Sequence, residues 1–137
     1  MNRQHIDIKI VLDPGCPWCL IGGKRLEQAM AKAREQGFTF RVKWLPFMLA
    51  PDTGTEGTPS RPHMIAMMGE EAYAASRERM RPIGKSIGIR ASIASCPYMR
   101  ASGGRGVPVF AFNDKYILTG GQEVDAFLQV FDQVAAA

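Results

Sequence analysis

The chain has 137 residues, a net charge of +4, and is 46% hydrophobic and 22% charged. That length suits one domain, residues 1–137, able to bury about two-thirds of its unfolded surface without a disulfide scaffold, and the composition excludes a disordered chain. No apolar run approaches the ~20 residues of a membrane span, and Lys and Arg are scattered without interleaved aromatics, so neither a membrane nor a nucleic acid is an expected partner.

Met1-Asn2-Arg3-Gln4-His5 leads directly into a strand, with no signal-peptide core, so the expected location is the cytoplasm. Three cysteines, an odd number, argue against a secreted disulfide framework. Ile6, Ile8 and Ile10 alternate with Asp7 and Lys9 before Val11 and Leu12, which predicts a first strand over Ile6 to Leu12. Asp13-Pro14-Gly15 then turns the chain into a helix predicted from Pro17 to about Gln36.

Cys16-Pro17-Trp18-Cys19 opens that helix. Two thiols three positions apart at a helix start lie about one turn from each other, close enough for a disulfide. The amino end of a helix carries roughly half a positive charge and favours the thiolate, which can lower a cysteine pKa from about 8.5 into the range ~3.5–7.5. Pro17 suits the first helical position because it has no N–H to leave unpaired. Cys19, one turn further in, is expected to be more buried and less acidic. Cys16 is thus the expected nucleophile and Cys19 the thiol that resolves the mixed disulfide. Asp13, three positions before Cys16, either tunes the thiols or only organises the turn. The same C-x-x-C is also half of a zinc site, but Cys96, His5 and His63 are not paired at ligand spacing, so no metal is expected.

Leu20, Ile21, Leu26, Ala29, Met30 and Ala33 are predicted to lie on or near one apolar face of the helix, with Lys24, Arg25, Glu27, Lys32 and Arg34 elsewhere. Gly22-Gly23 implies close packing or a bend, and Gly37 a helix stop. Phe40, Val42 and Trp44 alternate with Thr39, Arg41 and Lys43, the pattern of an edge strand parallel to the first. Asp52 to Pro62 reads as a loop. Met64 to about Ile87 reads as helix, interrupted at Gly69 and kinked or broken at Pro82. Met64, Met67, Met68 and Met80 there belong either to an amphipathic core face or to an adaptable peptide-binding surface. From Gly88 to Gly104 the pattern is weak; it contains Cys96, a bystander thiol or a third redox partner. Val107 to Phe112 reads as a strand, Asn113-Asp114 as a two-residue hairpin turn, Lys115 to Thr119 as the return strand, and Gln122 to about Val134 as a closing helix with Val124, Phe127, Leu128, Phe131 and Val134 inward.

Strand–helix–strand, helical insertion and hairpin–helix together predict an α/β, thioredoxin-like fold with a four-stranded mixed sheet. Cys16-Pro17-Trp18-Cys19 followed by Gly22, with Gly106-Val107-Pro108-Val109-Phe110-Ala111-Phe112-Asn113 and Gly120-Gly121, resembles the DsbA superfamily, and within it the FrnE-like branch. The resemblance covers about residues 5–50 and 104–135 well and 60–90 loosely. It implies a cis bond before Pro108, facing the dithiol, with the Val107 backbone available to an extended substrate. It also implies thiol–disulfide exchange through Cys16 and Cys19, with Trp18, Val107 and Pro108 meeting substrate, Pro17 and Asp13 tuning the site, protein or small-molecule thiols and disulfides as partners, and glutathione only as a redox partner. The insertion at residues 60–103 is shorter than that branch carries, which points to uncovered apolar surface and a homodimer or domain swap. Two other readings remain open at this level. A kappa-type glutathione transferase or 2-hydroxychromene-2-carboxylate isomerase shares the Gly-Val-Pro element but usually has serine where Cys16 stands. A non-catalytic relative would hold peptides or partners through the Met-bearing helix.

Overall fold

The structure, a computed structural model, describes residues 4–13, 16–48, 60–88 and 107–137. In chain order the elements are β1 (His5–Leu12), α1 (Pro17–Glu35), β2 (Thr39–Pro46), α2 (Ser60–Met68), α3 (Glu70–Ser86), β3 (Val109–Phe112), β4 (Tyr116–Thr119) and α4 (Val124–Ala136). The strands form one sheet in the order β2-β1-β3-β4. β1 runs parallel to β2 and antiparallel to β3, and β3 is antiparallel to β4. This is the expected mixed α/β sheet of a thioredoxin-like fold, with β2 at an edge.

The period-2 pattern of β1 sends Ile6, Ile8 and Ile10 to one face, where they are fully buried against Leu26, Ala29, Met30 and Ala33 of α1 and Phe127 and Phe131 of α4. Both helices therefore cover the same face. Aromatic rings run through this layer: Phe40 and Phe131 at 4.9 Å, Phe131 and Phe112 at 5.9 Å, Phe110 and Phe127 edge-on at 4.9 Å. Pairs at such spacing contribute about 0.5–1.5 kcal/mol beyond the area they bury. On the opposite face, Arg41 grips Asp7 with two bonds of 2.8 and 2.9 Å, holding that carboxyl below its ordinary range, and Lys9 reaches Asp114 at 2.6 Å.

Several boundaries differ from the sequence pattern. α2 begins at Ser60, inside the segment that reads as loop to Pro62. Gly69, at φ 86°, separates α2 from α3 as expected, but α3 passes Pro82 unbroken. Pro82 lies on the exposed side of the last turns, where a missing N–H leaves water to satisfy the freed carbonyl. Of the four methionines noted there, Met67 and Met68 are exposed and Met64 and Met80 half-buried, so none is a fully buried core residue. β3 starts at Val109, because Val107 and Pro108 form the bend that precedes it. Asn113 and Asp114 both adopt positive φ, 51° and 54°, and Lys115 N–H closes the turn on the Phe112 carbonyl at 3.1 Å. Pairing resumes at Phe112 and Tyr116, so Lys115 belongs to the turn. α4 starts at Val124, with Glu123 as its N-cap.

Candidate active site

Cys16 is the N-cap residue of α1, in extended conformation (φ −94°, ψ 117°), and Pro17 is the first helical residue. The Cys16 carbonyl accepts from Cys19 N–H at 3.1 Å and Leu20 N–H at 3.4 Å, so the helix starts on the nucleophile candidate itself. Cys16 N–H in turn donates to the Asp13 carbonyl at 3.0 Å, tying the end of β1 to the start of α1. Cys16 is 3% and Cys19 5% exposed, so the second thiol is not the more buried of the two; both lie under the same apolar cover. Cys19 is nonetheless the weaker acid. Its thiol hydrogen-bonds the Cys16 sulfur, which pushes its pKa far up, and burial adds to this. The Asp13 backbone N–H works in the other direction, and the charges of Cys16 and Asp13 raise the pKa further.

Val107 packs in one cluster with Cys16 and Cys19, flanked by Val11, Leu12 and Trp18. The Val107–Pro108 bond is cis, and the Pro108 carbonyl accepts from Gly120 N–H at 2.8 Å. Two glycines let α1 come this close. A β-carbon on Gly22 would stand 3.1 Å from Phe110, 3.2 Å from Pro108 and 3.3 Å from the Gly121 Cα. Close packing is thus the role of Gly22. Arg25 fixes the same corner: its Nη1 donates to the Gly121 carbonyl at 2.7 Å and its Nη2 meets Glu123 at 3.0 Å. Arg25, placed off the apolar face by the sequence pattern, is buried here, where that carbonyl needs a donor.

A cleft of about 270 Å³ opens beside the dithiol, lined by Leu12, Asp13, Cys16, Cys19, Leu20, Gly23 and Trp44. Lys24 and Glu27, paired at 2.9 Å, complete the lining. Leu20, expected with the core face, points into this cleft and is exposed. The structure therefore gathers Asp13, Cys16, Pro17, Trp18, Cys19, Val107 and Pro108 at one end of the sheet. Pro14, Gly15, Cys96 and Gly106 lie outside the described residues, as does the weak segment from residue 89 onward. Periodicity missed Arg25, Gly121 and Trp44 as site residues. Among the described residues there is no group of three or more His, Cys, Asp or Glu placed to hold a metal, and no helix long and apolar enough to cross a membrane.

No family model matches the chain, and no curated protein matches it. Among solved structures it is similar to a probable DsbA oxidoreductase from Streptomyces coelicolor, with a TM-score of 0.76 and 18% identity over 96% of this chain and 91% of that one. At that identity the likeness establishes the fold.

Proposed function

We propose that the chain is a thiol–disulfide oxidoreductase working through Cys16 and Cys19. The observation that carries this reading is the pair of hydrogen-bonded thiols at the amino end of α1, with Val107 packed beside them. The likeness to a probable DsbA oxidoreductase supports it.

In the reducing direction the Cys16 thiolate, favoured by the helix field, attacks one sulfur of a substrate disulfide and displaces the other as a thiolate. Cys19 then gives up its proton and attacks the Cys16 sulfur. The Cys16–Cys19 disulfide forms, the second substrate thiol leaves, and two electrons have passed to the substrate. The oxidising direction reverses these steps. The raised pKa of Cys19 keeps it protonated until Cys16 is occupied, which separates attack from resolution. Trp18, Val107 and Pro108 meet the substrate, Val107 through its backbone, and Pro17 and Asp13 tune the thiols. Partners are protein or small-molecule thiols and disulfides, with glutathione as a redox partner and no bound cofactor. The finer reading is a single-domain FrnE-like protein of the cytoplasm, able to form a homodimer.

Dithiothreitol-driven insulin reduction tests this, with wild type, Cys16→Ser and Cys96→Ser. Turbidity accelerates with wild type and Cys96→Ser and returns to the uncatalysed rate with Cys16→Ser. Catalysis that survives Cys16→Ser overturns the reading.

A further inference from the structure

α2 stands apart from the dithiol: none of its residues lines the cleft or joins the cluster around Cys16 and Cys19. Its nine residues hold three of the chain's eight methionines. Methionine ordinarily fills gaps inside a core, and these do not. Met67 is 56% and Met68 40% exposed, Met64 is half-buried, and His63 beside it is exposed.

Helical spacing gathers these four side chains. At about 100° per residue they fall within an arc of roughly 140° on one side of α2. Met64 and Met67, three positions apart, occupy the middle of the arc. His63 lies four positions before Met67, and Met68 four positions after Met64, so each has a neighbour at the ~5–6 Å Cβ spacing of adjacent turns. An unbranched thioether with three rotatable bonds can turn its sulfur toward such a neighbour.

The donor types select the ligand. Thioether sulfur is a soft, neutral donor that suits Cu(I), and imidazole also serves copper, whereas Mg, Ca and Mn take carboxylate and carbonyl oxygens. The described residues hold no group of three or more His, Cys, Asp or Glu that would suit a harder ion. A face meant only for apolar contact has no use for His63, and leucine would serve it as well as methionine. The surrounding charge suits a cation. Glu70 and Glu71 open α3 directly after Gly69 and bring two carboxylates to the Met68 end of α2, against the single cation Arg61 at the other end.

We propose that His63, Met64, Met67 and Met68 form a site for one soft monovalent cation, Cu(I). Met64 and Met67 supply the central sulfurs, and His63 and Met68 complete the coordination from either side. No bond within the chain forms or breaks and no electron moves; the ion stays at +1. The site is independent of the exchange chemistry above.

The test uses the full chain carrying Cys16→Ser, Cys19→Ser and Cys96→Ser together, since thiolates would otherwise take the ion. The methionine methyls are labelled with carbon-13. Silver nitrate in chloride-free buffer supplies Ag(I), an air-stable ion of the same charge and softness. Cu(I) kept reduced by ascorbate without oxygen is the second probe, and Zn(II) is the contrast. Both monovalent ions should shift the methyl signals of Met64, Met67 and Met68, with saturation at about one equivalent. Two methionines are internal controls and should stay in place: Met30, buried in the core, and Met48, 55% exposed with no other methionine within four positions. Zn(II) should move none of these signals. Met64→Leu with Met67→Leu should abolish the response of Met68, and His63→Gln should raise the Ag(I) concentration at half-saturation. Circular dichroism establishes that each variant is folded. If the thiol-free chain is not, Cys96→Ser oxidised with diamide, its Cys16 and Cys19 joined as a disulfide, carries the same titration. Absence of a saturable shift, equal movement of Met48, a matching response to Zn(II), or unchanged binding in either ligand variant overturns the proposal.

Discussion

Gly121 lies directly against Trp18: a β-carbon on Gly121 would come within 2.9 Å of the indole Cε3 and 3.2 Å of the Trp18 carbonyl oxygen. No real β-carbon sits so close, so Gly121→Ala must displace the Trp18 ring or the turn that carries residue 121. The expected loss is about 1–3 kcal/mol, the usual range for overpacking. Urea unfolding measures it. Tryptophan emission in a Trp44→Phe background, where only Trp18 remains, should shift in the folded state.

Arg25 holds the same turn, and its two partners should count unequally. The ion pair to Glu123 reaches a side chain that is 78% exposed, where solvent screening leaves such pairs less than about 1 kcal/mol. The bond to the Gly121 carbonyl is made by a buried guanidinium, and hydrogen bonds to charged groups contribute about 1.5–3 kcal/mol. Arg25→Leu is expected to lower the unfolding free energy clearly more than Glu123→Gln, as compared in one denaturant series. Equal effects would show that the exposed partner dominates.

The raised pKa of Cys19 gives the reduced protein a pH-dependent stability. The folded state keeps this proton at alkaline pH, whereas the unfolded chain releases it above about pH 8.5. The contribution is therefore fully present below that pH and is lost as pH rises, at up to about 1.4 kcal/mol per pH unit. Thermal melts of the reduced protein from pH 7 to 10 should fall more steeply than those of Cys19→Ser. Parallel curves would contradict the assignment.

Phe131 touches Phe38, Phe40 and Phe112 with ring centroids at 6.3, 4.9 and 5.9 Å. Phe131→Ala should cost about 3–5 kcal/mol. Phe47→Ala, at an exposed ring, should stay within about 0.5 kcal/mol. Chemical denaturation of the two variants makes the comparison, and similar losses would place the aromatic layer outside the main core.

The elements legible in the sequence were those whose core contacts follow one local period. Ile6, Ile8 and Ile10 alternate, and Phe127 and Phe131 recur one helical turn apart, so a face could be drawn without knowing what it meets. Cys16 and Pro17 were legible for a related reason, since capping depends only on the next turn. Arg25 was not legible. Its burial is decided by a carbonyl 96 positions later in the chain, and within its own helix it looks like any charged residue. Leu20 sits beside the apolar stripe by angle, yet it faces a cleft whose far wall, Trp44, comes from another element. Pro82 reads as a kink or a break because the rule treats the backbone alone and not the solvent open to an exposed last turn.

The strand order has a consequence for synthesis on the ribosome. β1 pairs with β2 on one side, but its other edge accepts β3, which is made last but one among the strands. At about 5–20 residues per second, roughly 3–13 s of translation separate Pro46 from Val109. For that interval the nascent chain presents a bare, isoleucine-rich strand edge beside two unshielded thiols, a state in which edge-to-edge association and stray disulfides compete with completion of the fold. The growing polypeptide is thus most vulnerable before β3 is made, and chaperone demand should concentrate in that window.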